Sequence, residues 1–220
     1  MRSASRRSAL RGTTPISAES VIIVFARAPL AGAVKTRLVP RLGAERAARL
    51  HMQLIAAAVH TARDARCGPV ELHVTRCHSS FGTSVRLQRG HDLGERMHHA
   101  LRGALRRYRT ALLIGSDCPA LQPADLRRAA RLLQGGADVV LAPAEDGGYA
   151  LIGARRVTRE IFAGVQWGSA DVLAQTVTNL TRARLEFRLL RTLWDIDRPE
   201  DLERLRSRRF SSSVRQRARR

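Results

Sequence analysis

Five stretches of this chain hold residues whose types and spacing could do chemistry. The first is RAPLAGAVKTRL, residues 27–38. Arg27, Lys35 and Arg37 put three cations in one loop, and Gly32 permits a backbone turn that side chains resist. That density of positive charge suits a polyphosphate. A Walker A loop would need Gly-Lys-Ser/Thr in sequence, and here Ala33 and Val34 separate Gly32 from Lys35. The chain has 38 Arg and a single Lys, and that Lys is Lys35. A lysine is a compact point charge and an arginine a broad planar fork, so one retained lysine marks a place where the fork does not serve.

The second stretch is GSDCPAL, residues 115–121. Asp117 sits just past an apolar run, where its carboxylate can face a ligand and hold Mg²⁺ or Mn²⁺ bridging phosphate oxygens. The bland alternative is a helix cap. Cys118 reads as a packing residue. In PAEDGGYALIG, residues 143–153, Asp146, Gly147 and Gly148 form a tight turn that lets backbone approach a ligand; a plain hairpin turn explains them equally. In WDIDRPEDL, residues 194–202, Asp195 and Asp197 are expected to divide two roles, one toward a metal and one capping the last helix. In GHDLGERM, residues 90–97, Asp92 and Glu95 stand at a helix start, where the helix dipole alone accounts for them.

Positioning these residues requires a sheet with its strand ends together. VIIVFA (21–26), VELHVT (70–75), ALLIG (111–115), ADVVLAP (137–143), YALIG (149–153) and LEFRLL (185–190) read as strands, with a short one at 85–88. Helices are expected over 44–65, 93–108, from Pro123 to Gly135 and Gly136, at about 157–163 and 170–180, and after Pro199. In the first of these, Leu50, Leu54, Ala57 and Ala58 lie near one face. Strands alternating with helices give an α/β domain: one mixed, mostly parallel sheet with helices on both faces and its ligand at the carboxyl edge.

The chain has 220 residues, enough for one such domain, and no apolar run long enough to cross a membrane. Its net charge of +20 raises nucleic-acid binding, but half of that excess sits in two ends: residues 1–20 carry four Arg against one Glu, and 203–220 eight against one. The expected organisation is a basic disordered tail over 1–19, a domain over 20–206, and a second tail over 207–220. The tails could touch nucleic acid or anionic surfaces non-specifically. No apolar stretch follows the basic start, so no secretory signal is expected. Cys67, Cys77 and Cys118 form no CxxC pair, which fits a reducing, cytoplasmic setting.

FARAPLAGAVKTRL, DLGERM, GSDCPAL, PAEDGGYALIG and DIDRPEDL occur in this order in the MobA-like, radical-SAM/selenodomain-associated transferases. Over about residues 21–205 the chain resembles that family. The resemblance implies a glycosyltransferase-A, nucleotide-diphospho-sugar transferase-like fold, similar also to molybdenum-cofactor and phospholactate guanylyltransferases. Some members are associated with arsenosugar biosynthesis. It implies that Arg27, Gly32, Lys35 and Arg37, with Asp92 and Gly94, hold the nucleotide and its phosphates. Asp117 is then the main metal ligand, with Asp195 or Asp197 second. Asp146 acts with Lys35 and Asp117 in catalysis, and Gly147, Gly148 and Tyr149 line the acceptor side. The expected activity is glycosyl transfer from a nucleotide-sugar to a small acceptor. The alternative is nucleotidyl transfer releasing pyrophosphate, and a nucleic-acid-binding module is a third reading.

Overall fold

The computed structural model describes residues 18–81 and 85–205. Seven strands form one sheet in the order β3-β2-β1-β4-β6-β5-β7. They are β1 (Ala18–Ala26), β2 (Val70–Val74), β3 (Val85–Leu87), β4 (Tyr108–Gly115), β5 (Val139–Pro143), β6 (Tyr149–Ala154) and β7 (Phe187–Leu189). The helices are α1 (Val39–Leu42), α2 (Ala44–Ala65), α3 (Leu93–Leu105), α4 (Pro123–Gln134) and α5 (Val172–Arg182). Every pairing is parallel except those of β6, which runs antiparallel to both β4 and β5.

The alternation of side chains along β1 and β4 explains the layers. Ile22, Val24, Leu112 and Ile114 pack against α2 and α4 on one face. Val21, Ile23, Phe25 and Leu113 pack against α3, α5 and a 3-10 turn at Arg159–Phe162 on the other. Both faces are covered, so these strands read as unbroken apolar runs. Val21, Ile22, Ile23 and Val24 are all 0% exposed, and burying each such side chain contributes about 1.5–3 kcal/mol. Antiparallel β6 follows from the β5–β6 turn. There Gly147 donates to the Ala144 carbonyl at 3.1 Å and Ala144 to the Gly148 carbonyl at 3.0 Å.

Several boundaries differ from the sequence expectation. β1 begins at Ala18, so Ala18 and Glu19 are strand rather than tail; the rest of both tails lies outside the described residues. The expected helix at 157–163 is only the 3-10 turn Arg159–Phe162. In α2 the buried stripe is Ala47, Ala48, His51, Leu54 and Ile55, and Ala57 faces out. Asp197 does not cap the final helical segment. Asp201 accepts the Asp197 and Arg198 N–H groups at 2.9 and 2.7 Å, while the Asp197 carboxylate pairs with Arg37 instead.

Candidate active site

Three segments meet at the carboxyl edge of the sheet. The loop after β1 brings Lys35, the end of β4 brings Asp117, and the segment after β7 brings Asp195 and Ile196. The Ile196 N–H donates to the Asp117 carbonyl at 2.9 Å, and the fully buried Ile196 side chain packs with Leu38 and Leu54. Sequence-distant backbone is thereby fixed beside Asp117.

Lys35 adopts a left-handed conformation, φ 49° and ψ 41°, at the start of the 3-10 turn Thr36–Leu38. A lysine there is an outlier of the kind found where surrounding structure over-determines the backbone. Its side chain turns inward and is 4% exposed. The ammonium donates to the Ile196 carbonyl and lies 3.0 Å from Asp117 Oδ2. Opposite it, His51 Nδ1 lies 3.5 Å from Asp117 Oδ1, while Nε2 lies 3.2 Å from the Arg27 carbonyl oxygen. A carbonyl only accepts, so Nε2 carries the proton in that contact. His51 Nδ1 is buried, and the Asp117 carboxylate is the polar group it faces.

The Asp117 side chain is 45% exposed and faces a cavity. Burial works to raise its pKa, but the His51 ring and the Lys35 ammonium outweigh that and hold it at about 2. It is therefore a fixed anion. Asp195 lines the same cavity with the opposite shift. Burial first, then the nearby Asp146 carboxylate, push it up to about 6 against the pull of Lys35. Cys118 donates to the Trp194 carbonyl at 3.2 Å, and burial pushes its thiol up to about 11, as suits a packing residue.

The cavity has a volume of about 290 Å³. Phe25, Leu93, Met97, Leu113, Tyr149 and Trp167 form its apolar wall, and among the described residues Asp117, Asp146 and Asp195 supply its charged side chains. Asp146 accepts the Gly148 N–H at 2.9 Å, so the turn is a true hairpin turn that also presents a carboxylate. The Tyr149 hydroxyl is buried without a well-formed hydrogen bond, and burial raises its pKa, keeping it neutral.

The structure thus brings together Lys35, Asp117, Asp146, Gly148, Tyr149 and Asp195 at or beside one cavity. Gly147 stands behind it, its carbonyl accepting the Leu173 N–H at 2.9 Å. Gly32 makes the loop turn at φ 77°, and Arg27 stays exposed. Arg37 and Asp197 pair on the outer side. Asp92 is the N-cap of α3, accepting the Glu95 N–H at 2.7 Å, and Gly94 lies under the Trp167 ring. Sequence reading did not single out His51, Phe25, Met97 or Trp167 as site residues. For His51 the available signal was a polar residue on the apolar stripe of α2.

Among the described residues no group of three or more His, Cys, Asp or Glu could hold a metal by itself. Asp117 and Asp195 offer two hard carboxylate donors on one cavity, and Mg²⁺ commonly takes one or two carboxylates plus substrate phosphates. The donor set therefore fits a divalent cation completed by a phosphate ligand.

A mostly parallel sheet with its basic β1 loop and the acidic end of β4 at one edge defines a nucleotide-diphospho-sugar transferase-like α/β domain. The family described as an uncharacterized protein conserved in bacteria (DUF2064) matches residues 45–169, and the chain belongs to it. It is similar to a structure from Desulfovibrio desulfuricans G20 described provisionally as a nucleotide-diphospho-sugar transferase. The two share 33% identity over 82% of this chain and 83% of that one, with a TM-score of 0.75. The fold is shared with a nucleotidyl transferase from Methanothermobacter thermautotrophicus, at 16% identity over 88% and 99% of the two chains and a TM-score of 0.60. It is shared too with CMP:2-keto-3-deoxy-manno-octonic acid synthetase complexed with CTP, at 12% identity, 89% and 100% coverage and a TM-score of 0.59. No curated protein matches the chain. Among the described residues no helix is long and apolar enough to cross a membrane.

Proposed function

We propose that this protein is a divalent-metal-assisted transferase that moves a sugar from a nucleotide-sugar to a small acceptor. The observation that carries this reading is the placement of Asp117. It is an ionised carboxylate between a basic loop and an apolar cavity whose lining holds Asp195 and Asp146 and, among the described residues, no Arg or Lys. The similarity to the D. desulfuricans structure supports the nucleotide-sugar class.

In this reading Arg27 and Arg37 draw the diphosphate to the β1 loop, and Gly32 lets the backbone approach it. Lys35 has three N–H donors. Two meet Ile196 and Asp117, and its charge attracts a phosphate bound beside Asp117. His51 and Lys35 hold the Asp117 carboxylate in place, and Asp195 is the second metal donor because it shares the cavity. Mg²⁺ or Mn²⁺, when bound there, would offset charge on the leaving nucleoside diphosphate. Asp146 and Tyr149, across the cavity, face the acceptor.

The basic loop also suits a triphosphate, so nucleotidyl transfer with pyrophosphate release is the second reading. The carboxylates of the lining weigh against it, because an attacking acceptor phosphate would meet Asp146 and Asp195 as like charge. The test is thermal shift and calorimetric titration of the full chain with nucleoside triphosphates, diphosphates and nucleotide-sugars, with and without Mg²⁺ or Mn²⁺. A nucleotide-sugar should stabilise the protein most, and only with metal. Preference for a triphosphate, with pyrophosphate as product, would select the second reading. Metal-independent binding would remove Asp117 and Asp195 from the metal role.

A further inference from the structure

The acid-lined cavity has a chemistry narrower than "small acceptor". Its wall is aromatic and aliphatic on one side, and every charge on it is negative. Asp117, Asp146 and Asp195 contribute, and among the described residues no Arg or Lys lines it. A divalent cation on Asp117 and Asp195, with the Lys35 ammonium beside Asp117, would bring the site near neutral, and a donor diphosphate would then make it negative. At about 290 Å³ it lies near the small end of ligand pockets, which are about 300–1,000 Å³, so it suits one ring rather than a chain.

The wall is also rigid, and Trp167 is its built feature. A Cβ at Gly94 would lie 2.7 Å from Trp167 Cζ2, so the indole rests directly on the glycine of α3. Phe162 braces it with ring centroids 6.4 Å apart. Trp167 is nevertheless only half-buried and lines the cavity. Opposite, a Cβ at Gly147 would lie 2.0 Å from the Ala170 carbonyl oxygen, so the β5–β6 turn and the 168–172 segment are in backbone contact. One side therefore offers a flat apolar surface, and the rim offers carboxylates that accept O–H or N–H donors.

We propose that this cavity is the acceptor subsite and takes an uncharged or cationic polyhydroxy ring, its apolar face on Trp167, and discriminates against phosphorylated or carboxylated acceptors. This rests on the transfer reading above. Hydroxyl or ammonium groups satisfy Asp146 and Asp195, whereas an added anion meets those carboxylates and the donor diphosphate as like charge.

The experiment titrates the full chain, in Mn²⁺ with the nucleoside diphosphate that binds best, with methyl glucoside, phenyl glucoside, glucosamine, glucose 6-phosphate and glucuronate. Calorimetry and tryptophan fluorescence supply the readout. The neutral and cationic members should bind at least about tenfold more tightly than the two anions. Trp167→Ala should weaken phenyl glucoside about tenfold and Trp167→Phe much less, since a flat ring is what is used. Asp146→Asn should narrow the gap between glucose 6-phosphate and methyl glucoside. Equal or tighter binding of the anions, or no binding of any neutral or cationic member, overturns the proposal. Nucleotide titration in the same sample separates the failures. If no nucleotide binds, the transfer reading has failed and takes this inference with it. If nucleotide binds and the anions win, only the acceptor assignment falls.

Discussion

Asp117 divides two regions built on opposite rules. On one side is the β1 loop with Arg27, Lys35 and Arg37, charged, polar, and tied to the rest of the site by ion pairs and backbone hydrogen bonds. On the other is a cavity of aromatic and aliphatic side chains whose charges are all negative. Positive charge suited to phosphate stops at Lys35, and the carboxylates beyond it are unpaired by any side-chain cation in the lining. In the proposed reading, this arrangement would hold the anionic part of a substrate on one side and present an uncharged part to the other. The proposed metal position would fall at the seam, where Asp117, held ionised, and Asp195, with its raised pKa, line the same cavity.

The largest effect should come from the seam itself. Asp117→Asn should lower turnover at least about 100-fold, corresponding to about 2.7 kcal/mol of transition-state stabilisation, and abolish the metal response of nucleotide binding. Turnover and Mn²⁺ titration measure it, and a variant that keeps its metal dependence would show Asp117 to be only structural.

Next come two glycines of similar backbone and different surroundings. Gly147 has φ 88° and no room for a Cβ, whereas Gly32 has φ 77° and open space around it. Gly147→Ala should therefore destabilise by more than about 2 kcal/mol, and Gly32→Ala by only the left-handed penalty of about 1–2 kcal/mol. Urea unfolding compares them directly. Equal losses would mean that the cavity wall yields as easily as the loop.

Lys35 comes third. Lys35→Met strands the Ile196 carbonyl and leaves Asp117 without its ammonium, and should destabilise by about 1–3 kcal/mol. Lys35→Arg should also impair the protein, because an enclosed 4% exposed side chain leaves no room for a guanidinium. Full stability and activity in Lys35→Arg would make the solitary lysine an accident of composition.

The two carboxylates also give opposite pH slopes in metal-free protein. The folded pKa of Asp117, about 2, lies below its unfolded value. Its contribution is present above the unfolded pKa of about 4 and lost as pH falls toward 2. Asp195 is raised to about 6, so the folded state holds its proton more tightly. That contribution is full below pH ~4 and lost as pH rises toward 6. Asp195→Asn should then raise the melting temperature relative to wild type at pH 7.5 more than at pH 4, measured in chelator. The smallest effect belongs to Arg37→Ala. Its pair with Asp197 is exposed, so stability should hardly move while nucleotide affinity falls.

Much of this was legible from residue order alone. The apolar runs of β1 and β4 and the Gly-Gly ending of α4 fix element type because burial and backbone freedom are local properties. The motif order placed Lys35 and Asp117 at strand ends, where ligands of such sheets bind. His51 was missed because its role depends on α2 packing beside both the Arg27 carbonyl and Asp117. The helix expected at 157–163 shrinks to four residues of 3-10 turn, a length too short for residue pattern to separate from an α-helix.

What the sequence determined was a parallel α/β sheet and which residue types stand at its ligand edge, because side-chain periodicity and turn chemistry act within a few residues. What only the tertiary structure decided was how those residues divide the work. Asp195 and Asp197 are two residues apart, yet one enters the cavity and the other pairs with Arg37, 160 positions away along the chain. Lys35 looked like a free cation and is instead bound to Asp117 and the Ile196 carbonyl. Charge pairing and cavity shape arise between segments the sheet brings together, and no local pattern encodes them.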